Sequence, residues 1–199
     1  TRERGLVEAA AQGIGKPGSS LAPAVELFTL SRLHFAEGRG ADRLTQARVL
    51  EPFYALRTDL LRYACAACAC ELVLRTTEPG QLLPGLFDML VAYLHAMTTT
   101  SSPRVLSWAF QLAYLRLSGL GPVLDRCVHC GAPVSGGWYS APQGGLLCTQ
   151  CAPGFEGGLV VSPGTVRSLE AMSRFRIDQL ERLRLTHQVR GEVEALLSQ

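Results

Sequence analysis

The sequence has almost no excess of charge of either sign. Its 199 residues carry 19 basic and 17 acidic side chains, for a formal net charge of +2. This balance excludes a polybasic tail, so any affinity for nucleic acid would have to come from local basic patches. Lysine is nearly absent as well, because Lys16 stands alone beside 18 arginines. Arginine binds phosphate through two nitrogen atoms and stacks on bases, so this bias is compatible with such patches.

The sequence also lacks an apolar run long enough to cross a membrane. Asp88 interrupts the run over residues 82–97 and Arg116 interrupts the run over 105–120, so neither reaches the roughly 18 uninterrupted residues of a span. No secretory signal accompanies the seven cysteines, whose odd number and clustering argue against a disulfide framework. A reducing, cytoplasmic compartment is therefore expected. Hydrophobic residues still make up 47% of the chain, which is enough for a folded core.

The first 51 residues have the patterns of β-structure. Alternation predicts strands over residues 5–12, 24–36 and 44–50, separated by turn-forming segments over 13–20 and 37–42. A small barrel needs about five strands. Three strands cannot close one, so the first strands of a barrel are expected to be missing ahead of Thr1.

After Pro52 the apolar spacing becomes helical. It predicts helices over about 56–72, 82–97 and 103–117, which are apolar on more than one side and are expected to pack as a bundle. Ser162 and Pro163 predict the start of a further helix that runs to about residue 174, with Ser162 as its N-cap. A last helix is predicted over about 188–197, and the whole chain is predicted to be an α+β protein.

Residues 125–153 form an insert rich in glycine and cysteine. Cys127 and Cys130 make one CxxC pair, and Cys148 and Cys151 make a second pair 17 residues later. Two such pairs complete a tetrahedral four-thiolate site, the usual arrangement of structural zinc, which leaves no open position for a substrate. His129 is interpreted as an exposed loop residue, with a ligand role as the alternative. A redox role is the other alternative for the CxxC pairs. It would need a single reactive pair near a βαβ pattern, and two matched pairs in a glycine-rich insert do not fit that requirement.

Three further cysteines lie within the first predicted helix, with no turn between them. Cys65 and Cys68 fall on its apolar stripe, and Cys70 follows two residues later. Because a buried free cysteine behaves as a small hydrophobic residue, core packing is predicted for these three. A metal or redox role is the alternative.

The order of these parts, together with short segments along the chain, resembles the RecO family of bacterial recombination mediators. The segments that carry the resemblance are residues 4–9, 13, 16–21, 25–28, 38–47, 53–54, 60–63 and 120–127. The resemblance covers essentially the whole sequence. It implies a truncated N-terminal OB-fold β-barrel over residues 1–52, an α-helical bundle domain over 53–124 that continues over 156–199, and an inserted zinc site over 125–155.

The resemblance also implies a function. RecO-like proteins bind single- and double-stranded DNA, anneal complementary strands and, with RecR, help to load RecA onto DNA coated by single-stranded-DNA-binding protein. They are not enzymes, and they are expected in the cytoplasm at the nucleoid, with no membrane contact. The candidate DNA contacts are the basic residues of the barrel half: Lys16, Arg32, Arg39, Arg43 and Arg48. In many relatives the loop around Lys16 holds several basic residues, so this loop departs from the pattern.

The helical domain is the candidate platform for the acidic, aromatic-ended tail of the single-stranded-DNA-binding protein. The candidate contacts in this domain are Leu82, Leu86, Phe87, Arg104, Trp108 and Arg116. The arginines would receive carboxylates, and ordinary core packing is the alternative for the apolar members.

Two other functions stay open at this point. The chain could be a zinc-ribbon adaptor without DNA affinity. An enzyme is the third class, but the sequence offers no paired carboxylate motif, no phosphate loop and only four scattered histidines.

Overall fold

Helices and strands both occur in the computed structural model, which describes residues 1–38 and 41–198. They fall into two units, Thr1–Pro103 and Arg104–Gln199. The described strands form two three-stranded sheets, one in each unit. The α+β prediction is therefore confirmed. A closed OB barrel and the finer division into four regions stay predictions.

The sheet of the first unit is built around an antiparallel ribbon. Strand β2 (Leu30–Ala36) pairs with β3 (Asp42–Glu51), and the short β1 (Ala9–Ala10) runs parallel to the start of β3. Irregularities interrupt the register of the ribbon at two places, between Leu30 and Ser31 and between His34 and Phe35. Such bulges bend a strand and strengthen its twist.

The predicted first strand is too long. Only Ala9 and Ala10 of residues 5–12 pair with the sheet. Gly5 instead adopts a φ of 62° and comes so close to Gln81 that an added Cβ would lie 2.1 Å from the Gln81 carbonyl oxygen. Close contact with a distant segment therefore overrides the local strand pattern.

The predicted second strand, residues 24–36, is also too long, because the chain turns before Leu30. Phe28 has a φ of 58°, and its buried ring packs edge-on against Tyr63 with the ring centres 5.3 Å apart. Alternation alone does not show that this aromatic side chain is directed at a helix. The strand consequently begins only at Leu30.

Two helices complete the first unit: α1 (Leu60–Thr76) and α2 (Leu86–Thr99). Asp59 caps α1 by accepting a hydrogen bond from the Arg62 backbone N–H. The Arg62 guanidinium donates to the carbonyls of Met97 and Thr100 at the end of α2. These bonds satisfy acceptors that a helix C-terminus otherwise leaves open, and they tie α1 to α2.

The prediction that all three helix cysteines pack in the core is wrong for Cys68. Cys65 is buried, and Ala66 and Ala69 continue the buried stripe, whereas Cys68 is exposed. Cys70 is half-buried, and this burial raises the pKa of its thiol to about 11. The three-residue spacing from Cys65 predicted that Cys68 would be buried. The buried side of the helix instead runs through Cys65, Ala66 and Ala69, and Cys68 lies beside it in solvent.

Helix α3 (Pro103–Leu117) has the predicted bounds and belongs to the second unit from Arg104 onward. The sheet of this unit has the order β5-β4-β6: β4 (Gly137–Ser140) and β5 (Gly145–Leu147) form an antiparallel hairpin, and β6 (Leu159–Val161) pairs antiparallel with the other edge of β4. The remaining helices are α4 (Pro163–Ser173), the short α5 (Ile177–Leu180) and α6 (His187–Leu197).

The start of α4 is held by groups from two helices. Ser162 is the N-cap, as predicted, and accepts a hydrogen bond from the Thr165 backbone N–H at 3.3 Å. Glu192 of α6 accepts hydrogen bonds from the Ser162 backbone N–H at 2.8 Å and from the Thr165 hydroxyl at 2.5 Å. This carboxylate therefore fixes α6 against the N-terminus of α4, where negative charge is favoured.

In the part of the chain that the structure describes, no helix combines the length and the apolar character that a membrane crossing requires.

Candidate metal centre and nucleic-acid interface

The first CxxC pair lies in a tight turn beside β5. The Cys127 N–H donates to the Ala132 carbonyl at 2.8 Å, and the Gly131 N–H donates to the Cys127 carbonyl at 2.9 Å. Gly131 has a φ of 76°, which favours glycine over residues with a side chain. The turn is anchored to the sheet because the Val128 N–H donates to the Leu146 carbonyl at 2.8 Å.

The second CxxC pair is positioned by the same strand. Cys148 directly follows β5, and its carbonyl accepts hydrogen bonds from the N–H groups of Cys151 at 3.1 Å and Ala152 at 2.9 Å. Gly145 allows the entry segment of the first pair to approach, since an added Cβ there would lie 2.4 Å from the Val123 carbonyl oxygen. Strand β5 thus brings together two turns that are far apart in the sequence.

The four predicted thiols form one cluster. The Sγ atoms of Cys127, Cys130, Cys148 and Cys151 all lie within 4.8 Å of one another, and the Cys130 and Cys148 sulfurs are 3.8 Å apart. A tetrahedron with zinc–sulfur bonds of about 2.3 Å has sulfur–sulfur edges of about 3.8 Å. The cluster can therefore hold a thiophilic metal ion with all four positions taken by protein.

Backbone dipoles prepare this cluster for negative charge. N–H groups at Cys130 and Cys148 lower the pKa of the Cys127 thiol to about 6, against some opposition from burial. The N–H of Cys151 lowers the pKa of Cys148 in the same way. The Cys151 thiol hydrogen-bonds to Cys148, and this raises its own pKa to about 12. The chain thus favours thiolates at two positions, as metal ligation requires.

His129 lies outside the cluster of ligand atoms. Its exposed imidazole packs edge-on against Phe155, with ring centres 5.4 Å apart. Only the four cysteines come together as candidate ligands in the described part of the chain. Four thiolates leave no position for water or substrate, so the site is suited to holding the fold together.

Two of the candidate DNA contacts face each other across the ribbon. Arg32 of β2 and Arg48 of β3 are direct register partners, and both are exposed. Opposed residues of an antiparallel pair have Cβ atoms about 4.5–5.5 Å apart and lie on the same face. Among the described residues neither arginine has an ion pair or a side-chain hydrogen bond. The next register pair on the same face, His34 with Gln46, is exposed and adds no negative charge.

The other candidate DNA contacts are more scattered. Lys16 is exposed in a turn, where its backbone N–H donates to the Gly13 carbonyl at 3.1 Å. Arg43 is exposed and pairs in register with Ala36, beyond the second bulge. Arg39 falls outside the described residues.

The structure separates the partner-binding candidates into two sets. Leu82, Leu86 and Phe87 line an apolar groove of about 540 Å³ in the first unit, together with Leu83 and Leu90. Leu82 is exposed, Phe87 is half-buried and Leu86 is buried.

The second set lies in the second unit. Trp108 is buried, Arg104 forms an exposed ion pair with Glu194 at 3.6 Å, and Arg116 is exposed near the end of α3. Arg2 lies at the rim of the groove in the first unit, where it pairs with Asp88.

Sequence reasoning missed two features of the first unit. Tyr54 is exposed beside Arg57, whose guanidinium lies 5.5 Å from the centre of the tyrosine ring. Thr77 lines the apolar groove, and its buried hydroxyl has no hydrogen-bond partner within the described chain. A single tyrosine or threonine carries no periodic signal, so neither could be found by spacing.

The fold and the cluster define a mixed α and β protein with four cysteines that can hold a metal ion and with a ribbon whose two opposed arginines form no ion pair among the described residues. Comparison with known proteins identifies the family. Residues 1–53 match the family described as Recombination protein O N terminal, and residues 57–199 match Recombination protein O C terminal. The chain belongs to the RecO family.

Individual relatives agree with this assignment. The chain is 36% identical over 203 residues to the DNA repair protein RecO of Symbiobacterium thermophilum, a match that covers 100% of this chain and 80% of the relative. It is 41% identical over 173 residues to the DNA repair protein RecO of Anaeromyxobacter dehalogenans, covering 85% of this chain and 68% of the relative. It is 33% identical over 197 residues to that of Desulforamulus reducens, covering 98% and 77%.

Proposed function

We propose that this chain is a DNA-binding mediator of repair and recombination. It binds single- and double-stranded DNA, anneals complementary strands and, with RecR, helps to load RecA onto DNA coated by single-stranded-DNA-binding protein. Membership of the RecO family supports the general role. The opposed pair Arg32 and Arg48 is the observation that carries the DNA-binding part.

Two like charges directly opposite each other destabilise a sheet. Stability alone therefore gives no reason for this pair, and no carboxylate of the described chain neutralises it. A polyanion would supply the missing charge, since arginine side chains bind phosphates and release the condensed counterions. A strand face with basic residues is also the surface on which OB-type folds carry a nucleic-acid backbone.

The remaining basic candidates extend this face in the proposal. Lys16 and Arg43 are exposed, so both can reach a phosphate without unfolding any element. Arg39 is proposed on its sequence position alone. Because these contacts go to the backbone, they favour neither a particular sequence nor a particular base.

The groove that contains Leu82, Leu86 and Phe87 is proposed to receive the tail of the single-stranded-DNA-binding protein. Its walls are mostly apolar, which suits an aromatic-ended peptide. Arg104 and Arg116, both exposed in the second unit, remain proposed contacts for the same partner, whereas Trp108 is buried and is better explained by core packing.

We propose Zn²⁺ as the ion held by the four cysteines, in a purely structural role. The donor set and its spacing support this choice, because soft thiolates in a tetrahedral arrangement select zinc. DNA binding and annealing are then done by the ribbon and its neighbours, and the chain turns over no substrate.

Salt-dependent binding tests the proposal. The chain should bind a fluorescently labelled oligothymidine with a negative slope of log affinity against log salt. The variant Arg32→Ala should reduce that slope by about 0.7, the contribution of one phosphate contact in a single strand. Arg167→Ala is the matched control, because Arg167 is an exposed arginine on α4, in the other unit.

Absent or salt-insensitive binding would refute DNA recognition by this face. Capture of RecR by a chain that neither binds nor anneals DNA would instead support the adaptor function.

A further inference from the structure

An exposed tyrosine and a fixed arginine lie just beyond the end of β3. Tyr54 is 66% exposed and begins the 3-10 turn Tyr54–Leu56, three residues after β3 ends at Glu51. The Arg57 guanidinium lies over its ring at 5.5 Å. We propose that Tyr54 and Arg57 form a stacking platform for an unpaired nucleobase, which gives this chain a contact to single strands that a duplex cannot make. This inference rests on the proposed DNA binding and deepens it.

Among the described residues, neutral groups rather than a carboxylate hold the arginine of this platform in place. The Arg57 guanidinium donates to the Leu27 carbonyl, from Nε at 3.1 Å, and to the Thr29 hydroxyl at 2.8 Å. Its plane is therefore fixed by neutral acceptors, and its charge stays available to an anionic ligand. A guanidinium held in this way loses little freedom when it binds, and it stacks well on aromatic rings.

The tyrosine is also presented on a rigid support. On either side of it, Phe53 and Leu56 are almost completely buried and anchor the turn. Phe53 adopts a φ of 44°, an uncommon conformation for a large side chain, which directs the chain into the turn. An exposed aromatic ring on an anchored turn is a preformed contact surface.

The surroundings of the platform are apolar and close in sequence to the arginine pair. Leu27, whose carbonyl accepts from the Arg57 guanidinium, is 60% exposed, so an exposed apolar residue borders the platform. Tyr54 follows Arg48 by six positions in the sequence, a span of at most about 20 Å. A strand whose phosphate lies on Arg48 therefore reaches the platform within a few nucleotides.

These features favour a nucleobase over a protein partner. Bases offer flat apolar faces that stack on tyrosine, and their phosphates match the uncompensated Arg32 and Arg48. In duplex DNA the faces of the bases are already stacked on each other, so the platform has nothing to bind there. The expected ligand is thus a single strand, recognised without sequence preference.

The test compares Tyr54→Ala, Tyr54→Phe and the exposed control Leu60→Ala in the full chain. Loss of stacking on one base corresponds to roughly 5- to 150-fold weaker binding of labelled oligothymidine by Tyr54→Ala. Tyr54→Phe and Leu60→Ala should bind like the unchanged chain, and duplex affinity should stay constant in all three. Thermal melts establish that each variant folds.

A 2-aminopurine base placed along the oligonucleotide reports stacking directly, because its fluorescence is quenched by aromatic contact. Quenching on binding should be lost in Tyr54→Ala and persist in Tyr54→Phe. Equal losses for single strand and duplex, or unchanged single-strand affinity, would overturn the platform. If Arg32→Ala still weakens binding in that case, the proposed function survives. If neither variant matters, both fail. Loss of RecR capture with unchanged DNA affinity would mark a protein-docking surface instead and overturn the platform.

Discussion

Replacing Arg48 with threonine should stabilise the chain and weaken its binding to DNA at the same time. Arg48 faces Arg32 across the ribbon, and neither has a carboxylate partner in the described chain. The substitution removes the repulsion between two like charges, and threonine suits a strand well. A purely structural arginine would have the opposite effect on stability. The signs of the two changes together therefore separate a binding role from a packing role.

The size of each change follows from the geometry. Cross-strand charge pairs contribute about 0.2–1 kcal/mol, and these two guanidinium groups are exposed, so the gain in the free energy of unfolding should lie near the lower end. For a chain of this length, about 0.3 kcal/mol raises Tm by roughly 1 °C. The gain should fade at high salt, since salt screens the repulsion. In binding, the salt slope should fall by about 0.7 for single strands and about 0.9 for duplex.

Denaturant melts followed by circular dichroism and anisotropy titrations give the two quantities. The double variant Arg32→Thr with Arg48→Thr completes a double-mutant cycle. Because either substitution alone already relieves the repulsion between the two arginines, the second substitution should add no further relief of that repulsion. Arg167→Ala on α4 controls for the loss of any single positive charge. The reasoning fails if Arg48→Thr destabilises the chain by more than about 1 kcal/mol, or if it gains stability while DNA binding is unchanged.

Two further changes test the second unit. Cys130→Ser removes one of the four clustered thiols, so the metal bound per chain and the Tm should both fall. The control Cys68→Ser, on the exposed side of α1, should alter neither quantity. Elemental analysis that finds equal metal in both variants would contradict this. Burial opposes ionisation of Glu192, but hydrogen bonds from Ser162 and Thr165 outweigh it and hold its pKa below the ordinary 4.5. Its contribution to stability is therefore present above pH 4.5 and is lost as the pH falls through the lowered pKa. Urea melts should show that Glu192→Gln is less stable than the unchanged chain at neutral pH and that the difference narrows in acid, and a pH-independent difference would exclude this role.

The cluster of four cysteines is the part of this protein that the sequence predicts best. The spacing of each CxxC pair is local, and the chemistry of four thiolates restricts the choice of ligand. What spacing does not show is why the two pairs meet. That depends on β5, on the Val128 hydrogen bond to Leu146, and on Gly145, which lets Val123 approach. A helix such as α3 was equally predictable, because Pro103 and Ser118 mark its ends in the sequence.

The basic face could not be predicted in the same way, because it depends on register. From Ala36 opposite Arg43, an unbroken ribbon would place Arg32 opposite Ala47, and the two arginines would then lie on opposite faces. The observed register shifts by one residue between His34 and Phe35, and Arg32 comes to face Arg48. The extra residue is Thr45, whose hydroxyl donates to the His34 carbonyl at 3.0 Å. One bulge thus decides whether this chain has a doubled positive charge on one surface, and no alternation of residue types reveals it.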